Sequence, residues 1–159
     1  MTTTSLQLGQ KIPAFSLEAT NGQTITENDL TGHYTVIYFY PKDDTPGCTT
    51  EGQDFTLAYP DFKSENTMIF GVSKDSLKKH ENFKSKFDFP FELISDSDET
   101  LCNIFDVIKL KKNYGREYMG IERSTFLINP DGELIQEWRK VKVPDHVKEV
   151  LEAVRHAKN

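Results

Sequence analysis

The sequence predicts an α/β fold: a central mixed β-sheet flanked by helices on both faces, with an N-terminal β-hairpin. Three observations predict it. The run from Tyr34 to Tyr40 is continuously aromatic or β-branched, which suits a strand buried on both faces with parallel neighbours. Beyond it, amphipathic helical stretches alternate with short β-rich runs, the pattern of a sheet covered by helices. Two further pairs of β-rich runs are joined by tight-turn sequences, TNGQ at 20–23 and NPDG at 129–132, so part of the sheet is antiparallel.

Taken in order, AFSLEA alternates apolar and polar residues, Asn21-Gly22 turns the chain, and TIT returns it as the opening hairpin. After the Tyr34–Tyr40 strand, Phe55, Tyr59 and Phe62 fall at helical spacing. Pro60 interrupts that pattern and predicts a kink or break near Tyr59. TMIFGV (67–72) reads as the next strand, and SLKKHENFKSKF (76–87) as a charged helix burying Leu77, Phe83 and Phe87. FELISD (91–96) is a short strand or extended entry. Leu101, Ile104, Phe105 and Ile108 predict a short amphipathic helix with acids in its first turn. STFLI (124–128) and ELIQEW (133–138) form the second hairpin. Val147, Val150, Leu151 and Val154 mark the closing helix, whose C-terminal end carries Arg155, His156 and Lys158.

The chain has 159 residues and no linker, repeat or low-complexity block, so residues 1–159 are expected to form one domain. Lys+Arg 19 against Asp+Glu 25 leaves a net charge of −6, which argues against general nucleic-acid binding, since that rests on phosphate neutralisation. The most basic stretch, KLKKNYGRE (109–117), reads as a solvated loop. The opening MTTTSLQLGQ has neither a basic start nor an apolar core, so no secretory signal is read there, and no run reaches the length of a membrane span. Two distant cysteines make neither a disulfide framework nor a zinc set. A reducing, cytoplasmic compartment is the default. His33, His80, His146 and His156 show no ligand spacing and are read as facing solvent. No metal or cofactor is expected.

One stretch stands out. PKDDTPGC (41–48) carries one of the two cysteines directly after the buried strand, and open α/β sheets place chemistry just past the carboxyl ends of strands. Thr45 is expected as helix N-cap and Pro46 at the first helical position, where its missing N–H costs nothing. Cys48 then falls in the first turn, where unpaired amides and the helix dipole favour an anion, here a thiolate. Gly47 removes a side chain that would block approach to the sulfur. From spacing alone an activated and an inert, buried Cys48 both remain open. No second cysteine completes a C-x-x-C pair, since residue 51 is Glu. Asp43 and Asp44 are expected to shape the loop.

The string PKDDTPGCTTE, with Pro41, Thr45 and Cys48 in a P-x-x-x-T-x-x-C frame, resembles the active-site motif of peroxiredoxins, in particular the bacterioferritin comigratory protein or peroxiredoxin Q subgroup. The resemblance extends over GQKIPAFSL, SDSDETLCNIFDV, ERSTFLINPDG and the closing helix. It implies a thioredoxin-like fold and thiol-dependent reduction of hydrogen peroxide and organic hydroperoxides. It also implies roles by position: Cys48 as peroxidatic nucleophile, Thr45 holding the peroxide, Pro41 packing over the sulfur, and Arg123 as the cation beside sulfur and substrate. A Thr hydroxyl both donates and accepts, and Arg presents a planar, permanently charged fork of donors. Glu51, one turn into the helix, would orient Arg123. Phe39 and Phe126 are read as core, with some aromatics lining the peroxide pocket.

Magnitudes decide where catalysis must come from. An ordinary thiol is about 3% ionised at pH 7, so complete ionisation gains at most ~30-fold, roughly 2 kcal/mol. Fixed donors at the breaking O–O bond contribute ~3–4 kcal/mol each. Arg123, Thr45 and the amides of Gly47 and Cys48 are therefore expected to matter more than thiolate formation.

Many members of the subgroup carry a second, resolving cysteine five residues after the first or on the next helix. Here residue 53 is Gln, and 76–87 contain no Cys. Cys102 is read as a buried structural residue, a resolving role being the alternative. The expectation is a one-cysteine cycle in a monomer, with an external thiol reductant: glutathione, a glutaredoxin or thioredoxin. Two rivals use the same fold differently: a peroxide sensor or redox-regulated chaperone without sustained turnover, and an interaction module with an inert Cys48.

Overall fold

The computed structural model describes residues 6–158, so Met1–Ser5 of the opening segment lie outside the described residues. Seven strands form the main sheet: β1 (Ser16–Ala19), β2 (Gln23–Thr26), β3 (Tyr34–Phe39), β4 (Thr67–Ser73), β5 (Glu92–Ser95), β8 (Ser124–Ile128) and β9 (Leu134–Trp138). Their order is β2-β1-β5-β4-β3-β8-β9. β3 and β5 both run parallel to β4, and the remaining neighbours are antiparallel. This is the expected mixed sheet with its N-terminal hairpin. Strands β6 (Ile108–Asn113) and β7 (Arg116–Ile121) form a separate two-stranded ribbon.

Alternation along the central strand separates two cores. Ile37 and Phe39 point to one face with Phe70, Val72, Phe126 and Ile128. Val36, Tyr38 and Tyr40 point to the other with Ile69, Leu93 and Leu127. The second face is covered by α1 (Pro46–Ser64), α2 (Leu77–Phe87) and α4 (His146–Lys158), through Phe55 and Phe62, Phe83, and the four predicted apolar residues of α4. The first face is closed by α3 (Thr100–Ile104) and the N-terminal segment around Ile12, Phe15 and Leu30. Phe39 and Phe126 are fully buried, as read from the sequence.

Several elements differ from expectation. Helix α1 runs unbroken through Pro60. Proline in a helix costs ~3 kcal/mol, but Phe55 and Phe62 on either side are fully buried, each contributing roughly 1.5–3 kcal/mol. Packing of the helix thus offsets the break, and Pro60 itself sits on the exposed side. The stretch 109–117 is a β-ribbon rather than a loop: Tyr114 and Gly115 both adopt positive φ, the two-residue turn that matches strand twist. The short helix ends at Ile104, where Asp106 turns with positive φ, and Ile108 enters β6. Its free N-terminal amides are capped by buried Asp96, which accepts from the N–H groups of Leu101 and Cys102, rather than met by acids in the first turn. On α2, Phe83 is buried but Leu77 and Phe87 only partly so. His80 and His146 do not face solvent; both are buried.

Gly71 lies opposite Tyr38 in the β3–β4 register. A Cβ there would sit 2.8 Å from Leu93 Cδ2 and 2.9 Å from the Tyr38 hydroxyl. Gly71→Ala is expected to cost about 1–3 kcal/mol by overpacking, read as a lower urea midpoint at unchanged slope. An unchanged midpoint would show that Tyr38 can move away.

Candidate active site

The site forms where β3 ends and α1 begins. Thr45 takes the N-cap position with extended backbone and Pro46 opens the helix, which puts Cys48 in the first turn. The cap itself differs from expectation. The Thr45 side chain makes no capping bond; its hydroxyl donates to the Lys42 carbonyl at 2.8 Å and closes the loop on itself. The hydroxyl oxygen remains an acceptor beside the sulfur's turn. The Cys48 and Gly47 amides have no carbonyl four residues back inside the helix, as at any helix start. Cys48 is buried, with 2% exposure, while Pro41, Pro46 and Gly47 around it lie at the surface.

Arg123 stands between β7 and β8, its carbonyl accepting from the Val141 N–H at 2.9 Å. Its guanidinium spans two groups. Nη2 donates toward Cys48 Sγ at 3.4 Å, and Nη1 donates to Glu51 Oε1 at 2.6 Å. Glu51 is one turn beyond Cys48 and so shares its face of the helix. Gly47 leaves space for this arrangement, since a Cβ there would lie 3.2 Å from Arg123 Nη2. Its lack of a side chain thus serves the guanidinium as well as approach to the sulfur.

Electrostatics sharpen the picture. Glu51 has no exposed side-chain surface. Burial pushes its carboxyl up to about 7 against the pull of Arg123. Burial also works against the charge of Arg123, but Glu51 and Cys48 outweigh it and hold the guanidinium's pKa above its ordinary value. Glu51 Oε2 and the Tyr38 hydroxyl are buried without a hydrogen-bond partner among the described residues. Burial, then the charges of Glu51 and Cys48, raise the Tyr38 pKa well above the usual phenol value. His146 lies beneath the site, its Nε2 2.8 Å from the Thr125 hydroxyl; burial and then Arg123 push it down to about 4, so it is neutral at pH 7. Burial and Arg123 also lower the pKa of Lys111 on β6. Tyr38, Lys111 and His146 were not read as site residues. Tyr38 is hidden among the strand's aromatics, and the other two approach only through tertiary folding.

A pH dependence follows for Glu51. Its folded pKa lies above its unfolded value near 4.5, so the stability it contributes is complete below pH 4.5 and lost as pH rises to about 7. The Arg123 ion pair forms in the folded protein as pH rises through about 7. The rate of Cys48 oxidation is expected to carry an inflection near pH 7 that Glu51→Gln removes. An inflection retained in that variant would detach it from Glu51.

Cys102 lies elsewhere. It is fully buried within α3, among the apolar residues of the opposite sheet face, whereas Cys48 belongs to the face covered by α1, α2 and α4. Burial first, then Asp96, raise the Cys102 thiol far above the ordinary cysteine pKa.

Comparison with known proteins places the chain in a family. Residues 8–137 match the sequence profile of the AhpC/TSA family. The chain belongs to the AhpC/TSA family, as a peroxiredoxin. It is 52% identical over 151 residues to peroxiredoxin Bcp of Bacillus subtilis, covering 95% of this chain and 96% of the relative. It is 51% identical over 159 residues to peroxiredoxin Bcp of Xanthomonas campestris, covering 99% of both. Among solved structures, a cysteine-to-serine mutant of Xylella fastidiosa PrxQ superposes with a TM-score of 0.92 at 42% identity, covering 99% of this chain and 100% of that one. The Xanthomonas campestris bacterioferritin comigratory protein, studied for its alkyl peroxide reduction activity, superposes at 0.87 with 50% identity, covering 91% and 92%. The expected subgroup and the thioredoxin-like fold are therefore those of this peroxiredoxin, which is a thiol-dependent peroxidase.

Proposed function

We propose that this peroxiredoxin reduces hydrogen peroxide and organic hydroperoxides at Cys48 through a one-cysteine cycle closed by an external thiol. The observation that carries the reading is the Arg123 fork, which touches the sulfur with one nitrogen and Glu51 with the other. The Cys48 thiolate attacks one peroxide oxygen in line. The O–O bond breaks, the second oxygen leaves with a proton as water or alcohol, and the sulfur becomes a sulfenic acid. Arg123 and the amides of Gly47 and Cys48 donate to the peroxide oxygens as charge moves onto the leaving one, and the Thr45 hydroxyl, its proton held by the Lys42 carbonyl, accepts from the peroxide O–H. Pro41 shields the sulfur from bulk water, and Glu51 positions Arg123. A first external thiol then displaces water from the sulfenic acid to give a mixed disulfide. A second releases the Cys48 thiol as its own disulfide forms.

The external thiol is favoured because Cys102 lies across the sheet from Cys48 and is buried, and a disulfide needs Cα atoms within about 7 Å. Cys102 is a structural residue in this reading. Glutathione with a glutaredoxin, or thioredoxin, supplies the electrons. We read residues 1–159 as one domain acting as a monomer in the cytoplasm, without metal or cofactor; no described helix is long and apolar enough to cross a membrane. The test is sustained peroxide consumption, assayed separately with glutathione plus glutaredoxin and with thioredoxin. Continuous turnover with one of them is expected. A single stoichiometric oxidation with neither sustaining it would replace this reading with that of a sensor.

A further inference from the structure

Beside the sulfur site lies a second buried polar cluster, on the loop that leads to Cys48. Asp43 is 8% exposed and His80 fully buried. Asp43 Oδ1 accepts from the Tyr40 hydroxyl at 2.6 Å, and Oδ2 lies 2.6 Å from His80 Nδ1. His80 Nε2 lies 2.9 Å from the Ile94 carbonyl. The Asp43 N–H donates to Asp75 Oδ2, which also accepts from the Ser73 hydroxyl. Asp43, Asp75 and His80 thus offer ligand atoms within 4.8 Å of one another. The contacts point to a proton and not a metal between them. Two ligands on one tetrahedral zinc, each about 2.0–2.1 Å from it, stand roughly 3.3 Å apart, well beyond the 2.6 Å between Asp43 and His80.

We propose that Asp43 and His80 form a positioning pair that holds the Cys48 turn in its peroxide-reactive shape. The inference rests on the reading of Cys48 as the peroxide-reducing thiol. A carbonyl only accepts, so Ile94 requires a proton on Nε2, and a further proton lies between Nδ1 and Asp43. His80 therefore anchors α2 to β5 with one nitrogen and grips the loop with the other. The loop has few other ties. Thr45 bonds back to Lys42 within it, Asp44 takes positive φ, and Asp44 meets Lys86 only at the exposed surface. Asp43 is its deep anchor, joined to β3 through Tyr40 and to the end of β4 through Asp75 and Ser73. Releasing Asp43 frees the segment that sets Thr45 and Cys48 opposite Arg123. Peroxide attack, which needs that geometry, slows; attack by an external thiol on the oxidised sulfur, which needs access, does not.

The test separates the two ring nitrogens. In His80→Gln the amide donor takes the place of Nε2 and the bond to Asp43 is lost. In His80→Asn the donor takes the place of Nδ1 and that bond is kept. Stopped-flow oxidation of Cys48 by hydrogen peroxide is expected to be at least tenfold slower in His80→Gln and in Asp43→Asn, and no slower still in their combination. His80→Asn is expected to stay nearer the parent, and reduction of oxidised Cys48 by external thiol to hold its rate throughout. Parent-like oxidation in His80→Gln and Asp43→Asn overturns the proposal, as does an equal loss in His80→Asn and His80→Gln. Should a variant fail to fold, nitrogen-15 NMR of the parent decides. A proton on Nε2 and a second shared between Nδ1 and Asp43, both protected from exchange, are expected, and a bare Nε2 or an unprotected Nδ1 side overturns it. Fast oxidation of the parent separates failure of this pair from failure of the peroxidase reading.

Discussion

Cys48→Ser is expected to lower peroxide consumption by roughly 10³-fold or more, because it removes the one nucleophile on which every later step depends. A serine hydroxyl is not ionised at neutral pH and forms no sulfenic acid. Arg123, Glu51 and Thr45 all remain in place, so whatever rate survives measures binding and polarisation without attack. Cys102→Ser is the control. That thiol lies on the opposite face of the sheet with its pKa raised by burial and Asp96, and its loss is expected to leave the rate unchanged. Peroxide consumption is the measurement, with the variants compared at equal folded protein. A Cys48→Ser enzyme that consumes peroxide like the parent would place the chemistry at another group.

Arg123 carries the second large effect. Its fork reaches the sulfur at 3.4 Å and Glu51 at 2.6 Å with separate nitrogens, and a lysine has a single nitrogen to offer. Arg123→Lys keeps the charge but gives up one of the two contacts, so it is expected to lose about 10²-fold in the rate of Cys48 oxidation. That loss corresponds to removing one preorganised donor at a site of developing charge, ~3 kcal/mol. Arg123→Ala is expected to lose more, since both contacts go at once and burial, no longer opposed by the guanidinium, drives Glu51 toward its neutral form. Rapid-mixing measurement of the second-order rate constant distinguishes the two readings. If Arg123→Lys keeps nearly the full rate, charge alone suffices and the fork is irrelevant.

These residues were legible in the sequence to different degrees, for physical reasons. Thr45, Pro46 and Cys48 follow from local rules about strand ends and helix starts, and the structure places all three where those rules put them. The failed detail, the Thr45 cap bond, reflects competition from the nearby Lys42 carbonyl. Arg123 was found only through the resemblance to peroxiredoxins, since 75 residues separate it from Cys48 and nothing local marks it. Glu51 on a helix looks solvated until the sheet covers that face. His80 was misread for a similar reason: KKHEN is a polar string, and only the fold brings Asp43 and the Ile94 carbonyl to the ring. The β6–β7 ribbon was hidden by its own composition. Lysines fill β6, and Tyr114 occupies a turn position that Asn or Asp usually marks.

The central claim is that one sulfur carries the reaction and no second cysteine of the chain completes it. Intact mass after one equivalent of peroxide, taken before any reductant is added, tests this most directly. Gain of one oxygen, absent in Cys48→Ala and unchanged in Cys102→Ser, is the predicted result. Loss of two hydrogens that disappears in Cys102→Ser would reveal an internal disulfide and contradict the account.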